Sequence, residues 1–324
     1  MILAGDIGGT KTILAYCDGA GSVLREATFH AADYPSLESI IDAFRQPNEP
    51  IAAACFGVAG PVVGGTAKIT NLPWQLAETH LAHKLDARVA LLNDLQATSL
   101  GTLVLPPSAF VVLQEGAASA PAGTVAVIAP GTGLGEALLL HDGDRYRALP
   151  TEAGHADFAP GTDEEIELLR FLRQKYGGHV SYERVLSGNG LGDLYTFARA
   201  QLGAPEPAWL TDEFSRGDHN AVVSRVALER RDDACIRALE MFVQILGAEA
   251  GNLALRGLCF GGVVIGGGIP PKIVPALTTG SLMARFNAKG RFSHWMQSLR
   301  VRAALEPRAA LLGAAWYAAA TVGP

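Results

Sequence analysis

Two glycine-rich segments carry residue types that bind phosphate and magnesium. The first is Gly5-Asp6-Ile7-Gly8-Gly9-Thr10, which lies between the apolar runs 2–4 and 12–16. Paired glycines allow a tight turn, and the N–H groups and hydroxyls exposed at such a turn suit phosphate oxygens. Asp6 stands where the first run ends, and a carboxylate there can hold Mg²⁺ through water. The segment predicts a phosphate loop with a magnesium site at Asp6.

This first loop differs from a Walker A loop, although residues 5–12 nearly fit the motif G-x-x-x-x-G-K-[ST]. Thr10 stands where the motif needs its second glycine. A Walker loop opens a helix, whereas residues 12–17 are apolar, include β-branched types and lead to a turn at 18–21. The pattern predicts a loop at the tip of a β-hairpin. For one glycine pair alone, a purely structural turn would be the favoured interpretation.

The second glycine-rich segment repeats this layout. Gly131-Thr132-Gly133 follows the apolar run 124–129, and a further apolar strand and a turn at 142–144 come after it. Its spacing, G-x-G-x-G before a strand, is a weak dinucleotide fingerprint. Two matched hairpins, each opening an α/β half, indicate a duplicated fold that grips a polyphosphate between its halves.

Further polar residues follow apolar strands or collect near these loops. Asn93-Asp94 ends the strand 88–92, where α/β folds place functional groups, although Asp94 can also cap the helix after it. Glu152, His155 and Glu183 are each explained singly as surface residues, but together they offer the donors and acceptors that a polyhydroxy ligand needs. Gly267-Gly268 ends the strand 259–265, and its bare backbone allows a flat ring or ribose to approach.

Composition narrows the class of protein. The chain has 324 residues, 49% hydrophobic and 18% charged, with a net charge of −6. This balance disfavours nucleic acid and anionic membranes as partners, and no apolar run is long enough to span a membrane. The first residues lack the basic region of a signal peptide, and the four cysteines are widely spaced, so free thiols and a cytoplasmic location are expected.

The elements that must position these residues form an α/β pattern. In the first half we predict strands at 2–7, 11–17, 22–29, 51–58 and 88–92, with helices at 36–44, 74–85 and after Asp94. In the second half we predict the hairpin 124–148, helices at 163–175, 190–202 and 233–255, strands at 259–265 and 298–304, and a last helix from 308 to about 320. Such mixed sheets bind ligands beyond the carboxyl ends of their parallel strands.

The ordered set of motifs resembles the bacterial glucokinases, sugar kinases of the actin-like, ribonuclease-H-like superfamily. The segments G-D-I-G-G-T, I-T-N-L-P-W, L-N-D, P-G-T-G-L-G, E-A-G-H, Y-E-R-V-L-S-G and G-G-V-V-I-G-G-G-I carry the resemblance over essentially the whole chain. It implies a two-domain actin-like ATPase fold, a duplicated ribonuclease-H-like α/β fold with the ligand cleft between its domains. The domains implied are 1–104, joined by the C-terminal helix 308–324, and 105–307.

The resemblance also implies a reaction and residue roles. The reaction is transfer of the γ-phosphoryl group of ATP to the 6-hydroxyl of glucose, with Asp94 as the base and Mg²⁺ on Asp6. The sugar would contact Asn71, Asn93, Asp94, Glu152, His155 and Glu183. The nucleotide would contact the two glycine-rich loops, together with Gly267 and Gly268.

Several alternatives stay open from the sequence. The related ROK group usually carries a zinc-binding cysteine run after E-x-G-H, and residues 156–161 contain no cysteine, although Lys11-Thr12 is more typical of ROK kinases. An N-acetylhexosamine or mannose kinase of the ROK type is one alternative, and a non-catalytic sugar-sensing regulator is another. ADP or polyphosphate could replace ATP as donor. The apolar helix 233–255 could form a homodimer interface or belong to the core.

Overall fold

The computed structural model describes residues 1–46, 50–69, 72–117, 122–143 and 145–322. Its strands are β1 Ile2–Ile7, β2 Lys11–Cys17, β3 Val23–His30, β4 Ala53–Val58, β5 Val62–Val63, β6 Thr66–Lys68, β7 Gln75–Ala77, β8 Arg88–Asn93, β9 Phe110–Gln114, β10 Val125–Pro130, β11 Leu134–Asp142, β12 Arg145–Pro150, β13 Gly262–Ile265 and β14 Val301–Ala304. Its α-helices are α1 Leu37–Phe44, α2 Glu78–Leu85, α3 Asp94–Gly101, α4 Asp163–Tyr176, α5 Gly188–Leu202, α6 Ala208–Arg216, α7 His219–Leu228, α8 Asp233–Gly257, α9 Val274–Leu277, α10 Ser281–Asn287, α11 Ser293–Ser298 and α12 Ala309–Val322.

The chain divides into two compact units. Unit 1 comprises Met1–Pro107, Asp142–Pro150 and the chain from Glu306 onward, and unit 2 comprises Ser108–His141 and Thr151–Leu305. Each unit has its own sheet with helices packed on it. The fold class predicted from the sequence, a duplicated α/β fold, is confirmed. The domain boundaries expected from the resemblance stay a prediction.

Unit 1 is built on a five-stranded sheet in the order β3-β2-β1-β4-β8. The strands β1, β4 and β8 are parallel, and β2 and β3 extend the sheet as antiparallel neighbours. Strand β4 is buried along its whole length, as expected for a central parallel strand. Because Asp6 pairs with Gly57 and Gly57 pairs with Leu92, the carboxyl ends of β1, β4 and β8 meet at one edge.

Helices α3 and α12 pack closely in unit 1 because glycines line their contact. A methyl group added at Gly101 would collide with the backbone of Ala309. One added at Gly313 would collide with the carbonyl oxygen of Ala97. Such backbone contact is possible only where no side chain stands between the helices. The position of α3, and of the residues at its N-terminus, therefore depends on these glycines.

Unit 2 repeats the arrangement of unit 1. Five of the six strands of its sheet belong to this unit and run in the order β11-β10-β13-β14-β9, with β10 antiparallel to β11 and parallel to β13. Helix α8 passes through the core of this unit, against α5, α7 and α10. Most of the residues of α8 are buried there, which accounts for its apolar sequence without any partner chain.

The structure departs from the sequence-based elements in a few places. The predicted helix 74–85 begins only at Glu78, because Gln75–Ala77 forms strand β7 and pairs with β6. The strand β9 and the helices α6 and α7 were not predicted. Within the described ranges, no helix is long and apolar enough to cross a membrane. The four cysteines are buried free thiols, as expected.

Replacing Gly313 by Ala is expected to destabilise unit 1, because the new methyl group meets backbone that cannot rotate away. Overpacking of this kind costs about 1–3 kcal/mol and sometimes more. Urea unfolding measures the loss. Gly19→Ala is the matched control, since its Cβ would meet nothing within 4 Å. Equal unfolding midpoints for Gly313→Ala and the wild type would contradict the described helix contact.

Candidate active site

The first glycine-rich loop joins β1 to β2 as a tight hairpin turn. The N–H of Gly8 donates to the carbonyl oxygen of Lys11 at 3.0 Å, and Gly8 and Gly9 are half-buried while Thr10 is exposed. A strand follows the loop, as the sequence predicted. The turn therefore presents backbone and a hydroxyl at the carboxyl end of β1.

Gly5 and Ile7 contribute to this loop by packing inside the sheet. Ile7 is fully buried, and a methyl group added at Gly5 would lie 2.6 Å from the ring of Phe56. The absent side chain of Gly5 therefore leaves room for Phe56. The contact of Gly5 and Ile7 with a nucleotide, expected from the sequence, stays a prediction.

Asp6 and Asp94 form an acid pair at the same sheet edge of unit 1. Asp94 is the first residue of α3, and both carboxylates are half-buried. Gly57 allows α3 to approach, because a methyl group there would lie 2.8 Å from Ala97 Cβ. Burial, and then the charge of Asp94, raise the pKa of Asp6 to about 6, while Lys11 opposes the rise. The pair thus concentrates negative charge that a cation would relieve.

Asn93, and not Asp94, is the N-cap of α3. Its Oδ1 accepts from the N–H of Leu95 at 2.9 Å, and Gln96 Oε1 accepts from the N–H of Asn93 at 3.1 Å. Its Nδ2 donates to the carbonyl oxygen of Gly60 at 3.1 Å. Asp94 Oδ1 also accepts from Leu95 N–H, at 2.8 Å. The capping box fixes the start of the helix and so aims the carboxylate of Asp94.

The second glycine-rich loop lies against the loop of three glycines in unit 2. Ile269 N–H donates to the carbonyl oxygen of Pro130 at 3.2 Å, and Gly188 N–H donates to that of Gly131 at 2.9 Å. A methyl group at Gly267, whose φ is +86°, would lie 2.5 Å from Pro130 O. Three separate segments therefore meet here through their backbones, which requires glycine at the contact.

A cavity of about 320 Å³ opens where these segments meet. Its walls include Thr132, Gly268 and the first turns of α5 and α7, and all of its lining belongs to unit 2. Its polar side chains are those of Thr132, Asn189, Asp218, Asn220, Ser224 and Lys272. This mixture of bare backbone, hydroxyls, amides and one lysine suits a ligand with phosphate and ring parts. The sequence pointed to Gly131, Thr132 and Gly268 but gave no signal for α7.

Glu152, His155 and Glu183 come together in unit 2. His155 Nε2 lies 3.9 Å from Glu152 Oε2, and His155 Nδ1 lies 4.0 Å from Glu183 Oε1. Glu183 Oε2 also accepts from the N–H of Leu134 at 3.0 Å, which joins the group to the second loop. Glycines permit this closeness, since methyl groups at Gly133 and Gly154 would collide with Glu183 and Leu134. The cluster predicted from the sequence is therefore present within this unit.

Two predicted features fall elsewhere. Asn71, expected to help to hold a sugar, lies outside the described residues. Within the described ranges, no group of three or more His, Cys, Asp or Glu side chains has the arrangement of a metal site. A hydrated magnesium ion needs fewer protein ligands than such a cluster provides.

Comparison with known proteins identifies relatives along the whole chain. The glucokinase family model matches residues 3–321. The glucokinase of Synechocystis sp. is 40% identical over 346 residues, covering 98% of this chain and 97% of that protein. The glucokinase of Cronobacter sakazakii is 36% identical over 324 residues, covering 99% and 98%. The crystal structure of a glucokinase from an Antarctic psychrotroph is 31% identical, with a TM-score of 0.84 and 98% coverage of both chains.

The acid pair in unit 1 predicts a pH-dependent loss of stability. The pKa of Asp6 is about 6 in the folded chain, against an ordinary value of 3.8. Its contribution to stability is therefore present below pH 3.8 and lost as the pH rises through 6. Asp6→Asn removes this loss. Relative to the wild type, the unfolding free energy of the variant should therefore rise between about pH 4 and 6, by at most roughly 3 kcal/mol.

Urea unfolding of both proteins from pH 4 to pH 7.5 measures this difference. Asp33→Asn is the control, because the side chain of Asp33 is 72% exposed. A constant difference in unfolding free energy between Asp6→Asn and the wild type across that range would show that the pKa of Asp6 is not raised as described.

Proposed function

The chain belongs to the glucokinase family, and on that premise we propose that it transfers the γ-phosphoryl group of ATP to the 6-hydroxyl of glucose. The observation that carries the proposal within the fold is the placement of Asp94. An oriented carboxylate stands at the carboxyl end of a parallel strand, beside a glycine-rich phosphate loop and a second carboxylate. These are the parts that phosphoryl transfer to a hydroxyl needs.

Asp94 acts as the base in this proposal. Phosphoryl transfer passes through a loose transition state, so the enzyme works mainly by positioning the attacking hydroxyl and neutralising charge. Asp94 would accept a hydrogen bond from the 6-hydroxyl and take its proton late in the reaction. One carboxylate oxygen is already bonded to Leu95 N–H, which restricts the rotation of the side chain. The capping box of Asn93 restricts the helix that carries it.

Asp6 is the proposed magnesium ligand, through water. A hard cation with several water ligands fits a pair of half-buried carboxylates whose repulsion it would reduce. Bound Mg²⁺ would neutralise the charge of the phosphate chain. The phosphates themselves are assigned to backbone groups of the two loops: Gly8, Gly9, Thr10, Gly131, Thr132 and Gly133.

The sugar hydroxyls are assigned to Glu152, His155 and Glu183, which offer two carboxylates and an imidazole in one cluster. Asn93 is also assigned to the sugar, and only one of the two N–H groups of its amide is used by Gly60. Asn71 keeps its predicted supporting role. Gly267 and Gly268 are assigned to the adenosine, since Gly268 lines the cavity of unit 2.

A phosphotransfer assay tests the reaction and its specificity together. Glucose, mannose, fructose and N-acetylglucosamine are offered as acceptors, and ATP, ADP and polyphosphate as donors, with and without Mg²⁺. We expect glucose and ATP to give the highest kcat/KM, and phosphorus NMR to show a 6-phosphate. Absence of turnover with every hexose would refute the kinase function, and preference for N-acetylglucosamine would refute the substrate. The homodimer and the cytoplasmic location stay predictions.

Asp94→Asn is expected to lower kcat by at least about 10²-fold, in the range ascribed to general base catalysis, while glucose still binds. The variant keeps the side-chain oxygen that accepts from Leu95, so the helix start should survive. Calorimetry measures glucose binding, and the kinase assay measures kcat. Asp42→Asn is the control, because this carboxylate of α1 is 62% exposed and pairs with Lys84. Retention of kcat within a few-fold would show that Asp94 is not the base.

Gly268→Val is expected to raise the KM for ATP roughly tenfold or more, with little change in the KM for glucose. The new side chain would enter the cavity, since a Cβ at Gly268 meets no protein atom within 4 Å. Because the new side chain collides with no protein atom at its Cβ, we expect the unfolding free energy of Gly268→Val to be nearly that of the wild type. Gly19→Val is the control, because it also has open space but lies outside the cavity. An unaltered ATP KM would place the nucleotide elsewhere.

A further inference from the structure

Glu136 is a buried carboxyl group with no role in the proposed reaction. It lies on β11 directly after the second glycine-rich loop, and its side chain is fully buried. Within the described part of the chain, neither of its carboxyl oxygens has a hydrogen-bond partner. An ionised carboxylate in such surroundings is costly, and the neutral acid is far less so.

A second fully buried carboxyl group, Glu249 of α8, lies close enough to act on Glu136. Glu249 is satisfied, because Arg256 donates to its Oε1 at 2.6 Å and Asn252 donates to its Oε2 at 2.8 Å. Asn252 in turn accepts from Lys289 at 2.6 Å. The partners of Glu249 are therefore arranged for one negative charge, and Glu136 adds a second carboxyl without adding a cation.

Hydrogen bonds connect this pair of acids to the two segments that carry Glu152, His155 and Glu183. The carbonyl oxygen of Glu136 accepts from Thr151 Oγ1 at 2.7 Å, and Thr151 Oγ1 accepts from Ala153 N–H at 3.1 Å. That turn carries Glu152 and His155. On the other side, Asn252 donates to the hydroxyl of Tyr182 at 3.1 Å, and Tyr182 directly precedes Glu183. A displacement of Glu136 would act directly on the turn, and a displacement of Glu249 would act on Tyr182 through Asn252.

We propose that Glu136 is a positioning residue that works only as the neutral acid, and that its ionisation displaces the turn of Glu152 and His155 and so weakens glucose binding. The inference rests on the proposed function, because it assumes that these residues hold the sugar. No covalent step is involved: Glu136 releases a proton to solvent, and the resulting charge repels Glu249.

The pH range of this effect follows from the surroundings of Glu136. Burial, and then the charge of Glu249, raise its pKa to about 8, with Arg256 opposing the rise. Two other groups of the network titrate or carry charge. Burial also raises the pKa of Tyr182 and lowers that of Lys289. If only the neutral acid binds sugar, the apparent Kd for glucose rises roughly tenfold between pH 7 and pH 9.

Calorimetric titration of the whole chain with glucose, without nucleotide, from pH 6.5 to pH 9.5 tests the proposal. Glucose does not ionise in this range, and binding is read without phosphotransfer. We expect the wild-type Kd to rise above pH 8, and Glu136→Gln, which cannot ionise, to keep a flat profile. Glu249→Gln removes the neighbouring charge, so its rise should begin at a lower pH than in the wild type.

The possible results separate the explanations. A flat wild-type profile overturns the role of Glu136, and so does a rise that persists in Glu136→Gln. Absence of glucose binding by the wild type at pH 7 overturns the proposed function instead. Thermal unfolding of each variant at pH 7 shows whether it is folded. If Glu136→Gln is unfolded, Glu249→Gln decides the matter: a Kd rise that begins at a lower pH than in the wild type supports the proposal, and an unshifted rise overturns it.

Discussion

The close approach of helix α3 to its neighbours is the constraint on which the acid pair of unit 1 depends. Glycines stand at three of its contacts, where Gly57 faces the first turn of α3 and Gly101 and Gly313 lie between α3 and α12. Any side chain at these positions would push the helix outward. Asp94 is the first residue of that helix, so a shift would carry its carboxylate away from Asp6. Packing that looks purely structural thus sets the electrostatics of the site.

Unit 2 also positions its polar residues through close backbone contacts at glycines, on different elements. Backbones of three segments touch at Gly131, Gly188 and Gly267, and side chains cannot be accommodated at the tightest of these contacts. The cavity and the cluster of Glu152, His155 and Glu183 both follow from this packing. Glycine has a conformational cost in any folded chain. Its concentration at contacts that position functional groups is therefore informative about function.

The sequence revealed those parts of the site that have a local pattern. Apolar runs that end in glycines predicted both hairpins, and the Asn-Asp pair after the strand 88–92 predicted Asp94 as a site residue. Polar residues after the second hairpin and after the helix 163–175 predicted the cluster of Glu152, His155 and Glu183. The capping role of Asn93 was not predicted, because Asn and Asp are equally common N-cap residues and the sequence does not show which of the two begins the helix. The parts of the site that depend on packing between distant segments could not be predicted from the sequence either. Asp218, Asn220 and Lys272 line the cavity only because α7 and the residues after β13 fold against the second loop.

The burial of Glu136 could not be predicted from the sequence at all, because a single charged residue in a strand usually faces solvent. Only the fold reveals that α8 brings Glu249 beside it. Each unit therefore places one carboxyl with a raised pKa next to its glycine-rich loop: Asp6 at about 6 and Glu136 at about 8. In our two proposals, Asp6 is ionised to attract magnesium, and Glu136 is neutral to hold the turn of Glu152 and His155. Under these proposals, activity falls at low pH as Asp6 takes up a proton and at high pH as Glu136 loses one. A magnesium ion near Asp6 would extend the acid side of that range, because a cation favours the ionised carboxylate.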